Sequence, residues 1–219
     1  MKGLFISFEG TEGSGKTTQI SLLAGRFRAY GCSVRTIREP GGTPIGEEIR
    51  HTLKHSSANH AMTAEAELLL MNASRAQLVR EVIRPALAAG QIVLCDRFYD
   101  STTAYQGYGR GLDLDAVKAV TDFAVGETRP DLTLLLHVTH AVSQHRLLAR
   151  QATMPFIRDR MEEADRGFFE RVAKGYQAIA AAEPYRVRRI EAAGDVAAIE
   201  SAIWELIEPA WHRKQGAPG

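Results

Sequence analysis

The chain has 219 residues, of which 45% are hydrophobic and 24% charged, and its 27 basic and 26 acidic side chains give a formal net charge of +1. This balance gives no electrostatic argument for nucleic acid or an acidic membrane surface as a partner. No run approaches the ~18 apolar residues that a membrane-spanning helix needs. Cys32 and Cys95 lie far apart, with no metal-ligand spacing around them. Unpaired thiols are typical of a reducing compartment, so we expect a cytoplasmic protein.

The chain opens with a strand candidate, a glycine-rich loop and a helix candidate. Residues 4–8 are a short apolar run, and residues 10–17 read Gly-Thr-Glu-Gly-Ser-Gly-Lys-Thr. This octet fits the phosphate-binding loop, a glycine and four residues followed by Gly-Lys-Thr. Its glycines let backbone N–H groups surround an anion, and the next helix directs its N-terminus at that anion. The predicted ATP-binding residues are Gly10, Thr11, Glu12, Gly13, Ser14, Gly15, Lys16, Thr17 and Thr18.

Several side chains near this loop suit charge neutralisation. Lys16 supplies a mobile positive charge, and the Thr17 hydroxyl can join the shell of a magnesium ion. Asp96 directly follows an apolar run, which favours a second magnesium ligand; a helix cap or an ion pair with Arg97 is the alternative. Glu12 would repel a triphosphate, so we expect it to face a second substrate or the metal, unless it is a solvated loop residue.

Strand and helix candidates alternate along the rest of the chain. The segments 33–38, 91–95, 132–138 and 186–190 predict four further strands, with helical periodicity between them. This alternation predicts a P-loop NTPase-type α/β fold, in which a five-stranded parallel sheet lies between two helical layers. No linker divides the chain, so we predict one domain over residues 1–213 and a flexible tail over 214–219. Ligands should gather at the carboxyl ends of the strands.

The stretch from about residue 64 to 89 is helical in pattern and apolar on most of its circumference. A helix of this kind must be covered on several sides. Two arrangements satisfy that requirement: the helix lies at the centre of the domain, or it is shared with a second subunit.

Arginines from separate elements predict a second anion site. Arg38 and Arg97 lie at the ends of predicted strands, and Arg75 lies on the apolar helix. Guanidinium groups bind phosphate bidentately, so a second phosphorylated substrate would suit them. The segment 147–163 carries Arg158 and Arg160, which predicts a helical lid that closes over the triphosphate. A solvated helix start with Arg–Glu pairs is the alternative for this segment.

The motifs together resemble a known family. The phosphate loop with Glu12, the Arg-Glu-Pro-Gly-Gly-Thr turn of residues 38–43 and the Asp-Arg…Ser-Thr…Ala-Tyr-Gln-Gly run of residues 96–107 are similar to those of bacterial thymidylate kinase. They keep the family's order and spacing from about residue 4 to 138. The resemblance implies magnesium-dependent transfer of the ATP γ-phosphoryl group to dTMP, giving dTDP. It also implies a homodimer, which suits the apolar helix.

The resemblance further implies roles for individual residues. Glu12 would approach the sugar 3′-hydroxyl, and Arg38 with Arg97 would hold the monophosphate. Arg75 with Thr102 would read the base, while Tyr105 would crowd the sugar 2′ position and Gln106 would fix the nucleoside. The implied substrate-binding residues are Glu12, Arg38, Pro40, Met71, Arg75, Arg97, Ser101, Thr102, Tyr105 and Gln106. The implied catalytic residues are Lys16, Arg97, Glu12, Arg158 and Arg160, and the implied metal ligands are Thr17 and Asp96.

The chain departs from the family pattern at three places. Met71 stands where a phenylalanine usually stacks on thymine, although a thioether also packs on rings. His137 replaces the usual aspartate of the fourth strand, and the lid is several residues longer. Two alternatives therefore stay open: a kinase for another nucleoside monophosphate, and a P-loop nucleotide-dependent regulatory module. Against the second, the chain has no Asn-Lys-x-Asp guanine-reading motif.

Overall fold

A computed structural model of the protein describes residues 3–153 and 165–216. Within these ranges, five strands form one parallel sheet in the order β2-β3-β1-β4-β5. The strands are β1 (Leu4–Glu9), β2 (Val34–Arg38), β3 (Ile92–Asp96), β4 (Leu132–His137) and β5 (Val187–Glu191). The predicted five-stranded parallel sheet is confirmed, and its strand bounds differ from the predicted ones by only one residue at either end.

Helices connect the strands and cover both faces of the sheet. They are α1 (Lys16–Ala29), α2 (Pro44–Lys54), α3 (Ala64–Leu78), α4 (Arg84–Ala88), α5 (Tyr99–Thr102), α6 (Leu114–Val125), α7 (His140–Thr153), α8 (Arg166–Ala182) and α9 (Val196–Gly216). π-Helical turns at Val79–Ile83 and Thr103–Gly109 extend α3 and α5. None of the described helices combines the length and the apolar character needed to cross a membrane.

The core lies in two layers because successive side chains of a strand point to opposite faces of the sheet. Leu4 and Ile6 of β1 pack toward α1 and α9, where Phe27 contacts Trp204 edge to face at 5.5 Å. Phe5 points the other way and contacts Phe98 at 5.0 Å, beside α3 and α4. The central strand β1 is therefore buried on both sides, which explains why all its residues except Ser7 and Glu9 are apolar.

The long apolar helix is only partly enclosed by this chain. Residues 64–88 form one continuous helical stretch, with Leu68, Leu78 and Ile83 buried against the domain. Leu69, in contrast, is 57% exposed. The first of the two sequence-based alternatives, a helix at the centre of the domain, is therefore wrong for the face that carries Leu69.

The C-terminal boundary needs a correction. Helix α9 continues to Gly216, and Lys214 Nζ lies 2.8 Å from a carboxylate oxygen of Asp131. Residues 214–216 thus belong to the last helix rather than to a flexible tail. The ion pair joins this last turn to Asp131, the residue directly before β4. Residues 217–219 lie outside the described part of the chain.

Candidate active site

The glycine-rich loop follows the central strand and leads directly into α1. Gly10 has φ +134°, and a Cβ there would lie 2.4 Å from the carbonyl oxygen of Leu136 on β4. Gly15 has φ +95° and caps α1 at its N-terminus. Only glycine adopts these conformations without strain. The loop therefore curls tightly beside β4 and points the first N–H groups of α1 into a cleft, where they can bind phosphate.

Lys16 is folded back over this loop. Its Nζ donates to the carbonyl oxygens of Gly10 at 3.1 Å and Thr11 at 2.9 Å. Burial lowers the pKa of Lys16 to about 8, with the nearby Arg97 guanidinium adding to the effect. A bound polyanion would favour the charged ammonium, because an opposite charge close by stabilises that form.

Thr17 and Asp96 meet at the edge of the loop. Thr17 Oγ1 donates to Asp96 Oδ2 at 2.9 Å, so the two predicted metal ligands lie side by side. No group of three or more His, Cys, Asp or Glu side chains with metal-binding geometry occurs in the described ranges. Magnesium in nucleotide sites takes few protein ligands, usually one or two carboxylates with phosphate and water oxygens. This hydroxyl–carboxylate pair therefore fits a magnesium–nucleotide complex.

A cavity of about 240 Å³ runs along the loop. Its wall includes Arg146 of α7, whose Nη1 lies 3.4 Å from the carbonyl oxygen of Gly13. Arg146 was not among the predicted site residues, since it is one of several basic residues in a helical pattern. The loop residues that line this cavity are Glu12, Gly13, Gly15, Lys16, Thr17 and Thr18.

A second cavity, of about 310 Å³, contains every residue of the implied substrate-binding set. Several other residues that line this cavity were not predicted from the sequence, among them Glu39, Arg50, Lys54, Phe98 and Phe169. Both cavities are lined by Glu12, Thr17 and Asp96, so they join at these three residues. A triphosphate on the loop and an anion in the second cavity would thus meet end to end.

Arg97 stands at this junction in an unusual conformation. Its φ is +69°, a value that side-chain-bearing residues rarely adopt and that often marks a functional site. Its guanidinium donates to Ser101 Oγ at 3.1 Å and Tyr176 OH at 3.3 Å, and Nη2 lies 3.5 Å from Glu12 Oε2. The guanidinium carbon also sits 5.1 Å from the centre of the Tyr105 ring. Arg97 and Glu12 therefore face each other across the cavity junction.

Arg75 enters the second cavity from α3 through a buried ion pair. It donates from Nε and Nη2 to Glu39 Oε2 at 2.9 and 2.7 Å, and from Nη1 to Thr102 Oγ1 at 2.9 Å. Burial raises the pKa of Glu39, and the Arg75 charge opposes that rise. The predicted neighbours Arg75 and Thr102 are therefore in contact. Glu39 could have been found from the sequence, since it directly follows Arg38 at a strand end.

Arg38 is engaged by another residue of the protein. Its Nη1 and Nη2 donate to the Glu47 carboxylate at 2.8 and 3.1 Å, and both side chains are nearly half exposed. These bonds, with a further one from the Gly42 N–H, lower the pKa of Glu47. A monophosphate in the cavity would compete with Glu47 for the Arg38 guanidinium.

The remaining predicted residues divide between the cavity and the segments outside it. Gln106 Nε2 donates to the buried Glu67 carboxylate at 2.8 Å, and Met71 lines the same cavity. His137 ends β4 half-buried, and nothing in the structure explains why it replaces an aspartate. Arg158 and Arg160 lie outside the described residues, as does the lid beyond Thr153.

The fold and the site define a P-loop enzyme class. A phosphate-binding loop follows the central strand of a parallel sheet, and an arginine-lined cavity opens onto the same junction. This is the arrangement of a kinase that acts on a second small phosphorylated substrate.

Comparison with known proteins identifies the family within that class. The family model described as thymidylate kinase matches residues 8–203. A thymidylate kinase of Synechococcus sp. is 47% identical over 206 residues, covering 94% of this chain and 95% of that protein. One of Pseudomonas syringae pv. tomato is 46% identical over 207 residues, covering 94% and 96%. A crystal structure of thymidylate kinase from Ehrlichia chaffeensis superposes with a TM-score of 0.74 at 32% identity, covering 94% and 99%. The chain belongs to the thymidylate kinase family.

The buried ion pair of Arg75 makes a stability prediction. Replacing Arg75 by Ala leaves Glu39 buried without its counter-charge, so we expect the free energy of unfolding to fall by about 3–5 kcal/mol. The matched control is Arg189→Ala, because the pair of Arg189 with Glu191 is 46% and 67% exposed. Exposed pairs contribute about 0–1 kcal/mol, so this variant should resemble the wild type in urea unfolding. An equal loss of unfolding free energy in the two variants would contradict a stabilising role for the buried Arg75–Glu39 ion pair.

Proposed function

We propose that this protein transfers the γ-phosphoryl group of ATP to the 5′-phosphate of dTMP, producing ADP and dTDP. The observation that carries the proposal is the junction of the two cavities at Glu12, Thr17 and Asp96. A triphosphate on the loop and a monophosphate beside Arg97 would bring donor and acceptor oxygens into line there. Membership of the thymidylate kinase family supports the identity of both nucleotides.

The chemistry asks for positioning and charge neutralisation more than for proton transfer. An oxygen of the dTMP phosphate forms a bond to the γ-phosphorus, and the bond from that phosphorus to the β–γ bridging oxygen breaks. The electron pair leaves with ADP. The acceptor oxygen is ionised near neutral pH, so no base has to remove a proton before the transfer. The enzyme's contribution is therefore to hold two polyanions in contact.

On the donor side, the loop N–H groups and Lys16 bind the β- and γ-phosphates. Lys16 can exchange its bonds to the loop carbonyls for bonds to phosphate oxygens without leaving the cleft. Thr17 and Asp96 would hold Mg²⁺, whose role when bound is to neutralise charge on the triphosphate. Arg146 adds a guanidinium at the same cavity wall.

On the acceptor side, Arg97 and Arg38 bind the monophosphate, and Arg75 with Thr102 reads the base. Glu12 lies opposite Arg97, where it would accept a hydrogen bond from the sugar 3′-hydroxyl. Tyr105 packs under the Arg97 guanidinium, and the family relationship supports a role for it in crowding the 2′ position of the sugar. Gln106 is held by Glu67 at the nucleoside end of the cavity.

Met71 favours a second candidate, a kinase with relaxed choice of base. It lines the cavity where the family pattern has an aromatic ring. A flexible thioether packs against a base with a less defined orientation than a stacked aromatic ring does. Initial rates with dTMP, dUMP, CMP, UMP, GMP and AMP at equal concentration separate the candidates. We expect a clear preference for dTMP. Similar rates with several monophosphates, or a preference for one other than dTMP, would support the second candidate. ATP binding without transfer to any of them would support a regulatory module.

Replacing Arg97 by Ala should change the two Michaelis constants unequally. One charge-assisted interaction is worth about 1.5–3 kcal/mol, so the KM for dTMP should rise roughly tenfold to a hundredfold. The KM for ATP should change far less. Lys16→Ala is the comparison variant: it should lose phosphoryl transfer while keeping its fold, because the loop backbone is unchanged. Equal effects of Arg97→Ala on both substrates would mean that Arg97 is not a monophosphate ligand.

We also propose a homodimer formed through α2, α3 and α6. These neighbouring helices expose Ile45 (52%), Leu69 (57%) and Phe123 (84%), large apolar side chains that a second copy would cover. The family relationship supports this partner over an unrelated one. Isolated exposed apolar residues are common, but apolar residues exposed on adjacent helices indicate an interface.

Size-exclusion chromatography with light scattering tests the dimer. The wild type should elute at twice the chain mass of 24.1 kDa. Phe123→Arg should shift it toward the monomer, since a buried unpaired charge opposes association. Tyr185→Arg is the control, because Tyr185 is 92% exposed and lies between α8 and β5. A monomeric wild type would refute the proposal.

We assign the reaction to the cytoplasm. Cys32 and Cys95 are both free thiols, and Cys95 is buried. Unpaired cysteines are typical of a reducing compartment, which supports this assignment.

A further inference from the structure

Glu9, the last residue of β1, has a carboxylate that none of the roles above uses. The side chain is completely buried. Its Oε1 accepts a hydrogen bond from the Phe98 N–H at 2.7 Å, and its Oε2 accepts from Ser101 Oγ at 2.6 Å and Tyr176 OH at 2.9 Å. A buried carboxylate with three donors converging on it, two from the N-terminal end of α5 and one from α8, is a specific and costly arrangement.

All three donors lead to Arg97. The Phe98 N–H belongs to the residue directly after Arg97, so Glu9 anchors the backbone just past the position with φ +69°. Ser101 and Tyr176 are also the two hydroxyls that accept hydrogen bonds from Arg97 Nη1, at 3.1 and 3.3 Å. Glu9 therefore fixes the backbone of Arg97 directly and its guanidinium through two hydroxyl groups.

The direction of these bonds depends on the charge of Glu9. The Ser101 and Tyr176 hydroxyls lie 3.0 Å apart, so either can donate to the other. An ionised carboxylate only accepts, so it draws the hydroxyl hydrogens toward Glu9. The lone pairs of Ser101 and Tyr176 are then left for the Arg97 guanidinium, which only donates. A protonated Glu9 would instead donate to one hydroxyl. That hydroxyl would turn its own hydrogen elsewhere, and one support of Arg97 would weaken.

We propose that Glu9 is a positioning residue that orients Arg97 toward the acceptor monophosphate through Ser101 and Tyr176, and that its ionised form is the competent one. This inference rests on the proposed role of Arg97 as a monophosphate ligand. Glu9 does not touch substrate itself. Its effect should therefore fall on the binding of dTMP and not on that of ATP.

The electrostatic surroundings put this ionisation in the neutral range. Burial, followed by the Asp100 charge, raises the pKa of Glu9 to about 7, while Arg97 and the bonds from Ser101 and Phe98 oppose the rise. The titratable and charged groups that face Glu9 from the surrounding elements are Lys16, Cys95, Arg97, Asp100, Tyr105 and Tyr176. Glu9 should thus be mostly neutral below about pH 7 and ionised above it.

The contribution of Glu9 to folding stability and its contribution to dTMP binding should change in opposite directions with pH. The pKa of Glu9 in the folded protein is higher than the ordinary glutamate value of 4.5, so folding favours the neutral form. The stabilising contribution of that form is fully present below pH 4.5 and is lost as the pH rises through 7. Ionised Glu9, the form that we propose holds Arg97 in position, becomes the main form as the pH rises through about 7. A residue that only packed in the core would not link the pH dependence of stability to the pH dependence of dTMP binding.

The test compares wild type with Glu9→Gln, which keeps the shape but makes the side chain neutral and a donor. At pH 8 the variant should show a KM for dTMP raised by about tenfold or more, with the KM for ATP within about twofold. The ratio of the two enzymes' KM values for dTMP should fall toward one near pH 6, where Glu9 of the wild type is protonated. Using this ratio removes the titration of the dTMP phosphate, whose second pKa is about 6, from the comparison.

Asp100→Asn is the matched control. Asp100 is also a buried carboxylate, but its oxygens bind Arg186 and Thr133 rather than the supports of Arg97. At pH 8 this variant should keep the KM for dTMP within about twofold of the wild type. Because the Asp100 charge raises the pKa of Glu9, its removal should move the midpoint of the pH profile downward.

The outcomes separate the inference from the proposed function. A Glu9→Gln enzyme with wild-type KM for dTMP, or with equal increases for ATP and dTMP at all pH values, would overturn the positioning role. Should Glu9→Gln fail to fold in a urea titration, Tyr176→Phe removes only one of the two supports and should still raise the KM for dTMP selectively. A wild-type enzyme that does not phosphorylate dTMP would defeat the proposed function instead, whatever the variants do.

Discussion

The pairing of β1 with β3 is the constraint on which the site depends. These parallel strands run in register, with Phe8 opposite Asp96, and the Arg97 N–H donates to the Phe8 carbonyl at 2.9 Å. The end of β1 at Glu9 and the phosphate loop after it are thereby set beside the end of β3 at Asp96 and the following Arg97. Parallel strands end at the same edge of a sheet, so one backbone arrangement brings the loop, the proposed metal ligands and the proposed monophosphate ligand Arg97 together.

Buried carboxylates offset the desolvation cost of the arginines that are concentrated at this site. Arg75 is almost completely buried and Arg97 largely so, and neither could be desolvated without a nearby anion or strong acceptors. Glu39 serves Arg75 directly, while Glu9 serves Arg97 through two hydroxyls. Burial raises the pKa of both carboxylates, and the charge of the neighbouring arginine opposes that rise in each case. The fold thus holds its cations in place before an anionic substrate arrives, and pre-organised charge is what phosphoryl transfer requires.

The local patterns of the sequence predicted much of this arrangement. The glycine loop, the alternation of strands and helices, and the charged residues at strand ends predicted the sheet and the cleft, and the resemblance to the family placed Arg75 with Thr102. Which partner each charge takes was not predictable from these local patterns. Arg38 turns to Glu47, nine residues along the chain, and Arg146 approaches Gly13 from a helix that begins more than a hundred residues later. Such contacts depend on how elements pack, and no short-range periodicity records them.

The sequence by itself determined where the five strands lie along the chain, where the phosphate-loop motif lies and which family the protein resembles. These features depend on local residue types at fixed spacing. Only the tertiary structure decided that Glu9 supports Arg97, that α9 continues to Gly216 and that one face of α3 stays open. The physical reason is the same in each case. Burial, ion pairing and hydrogen-bond direction are properties of groups distant in sequence, and they exist only once the sheet has brought those groups within a few ångströms.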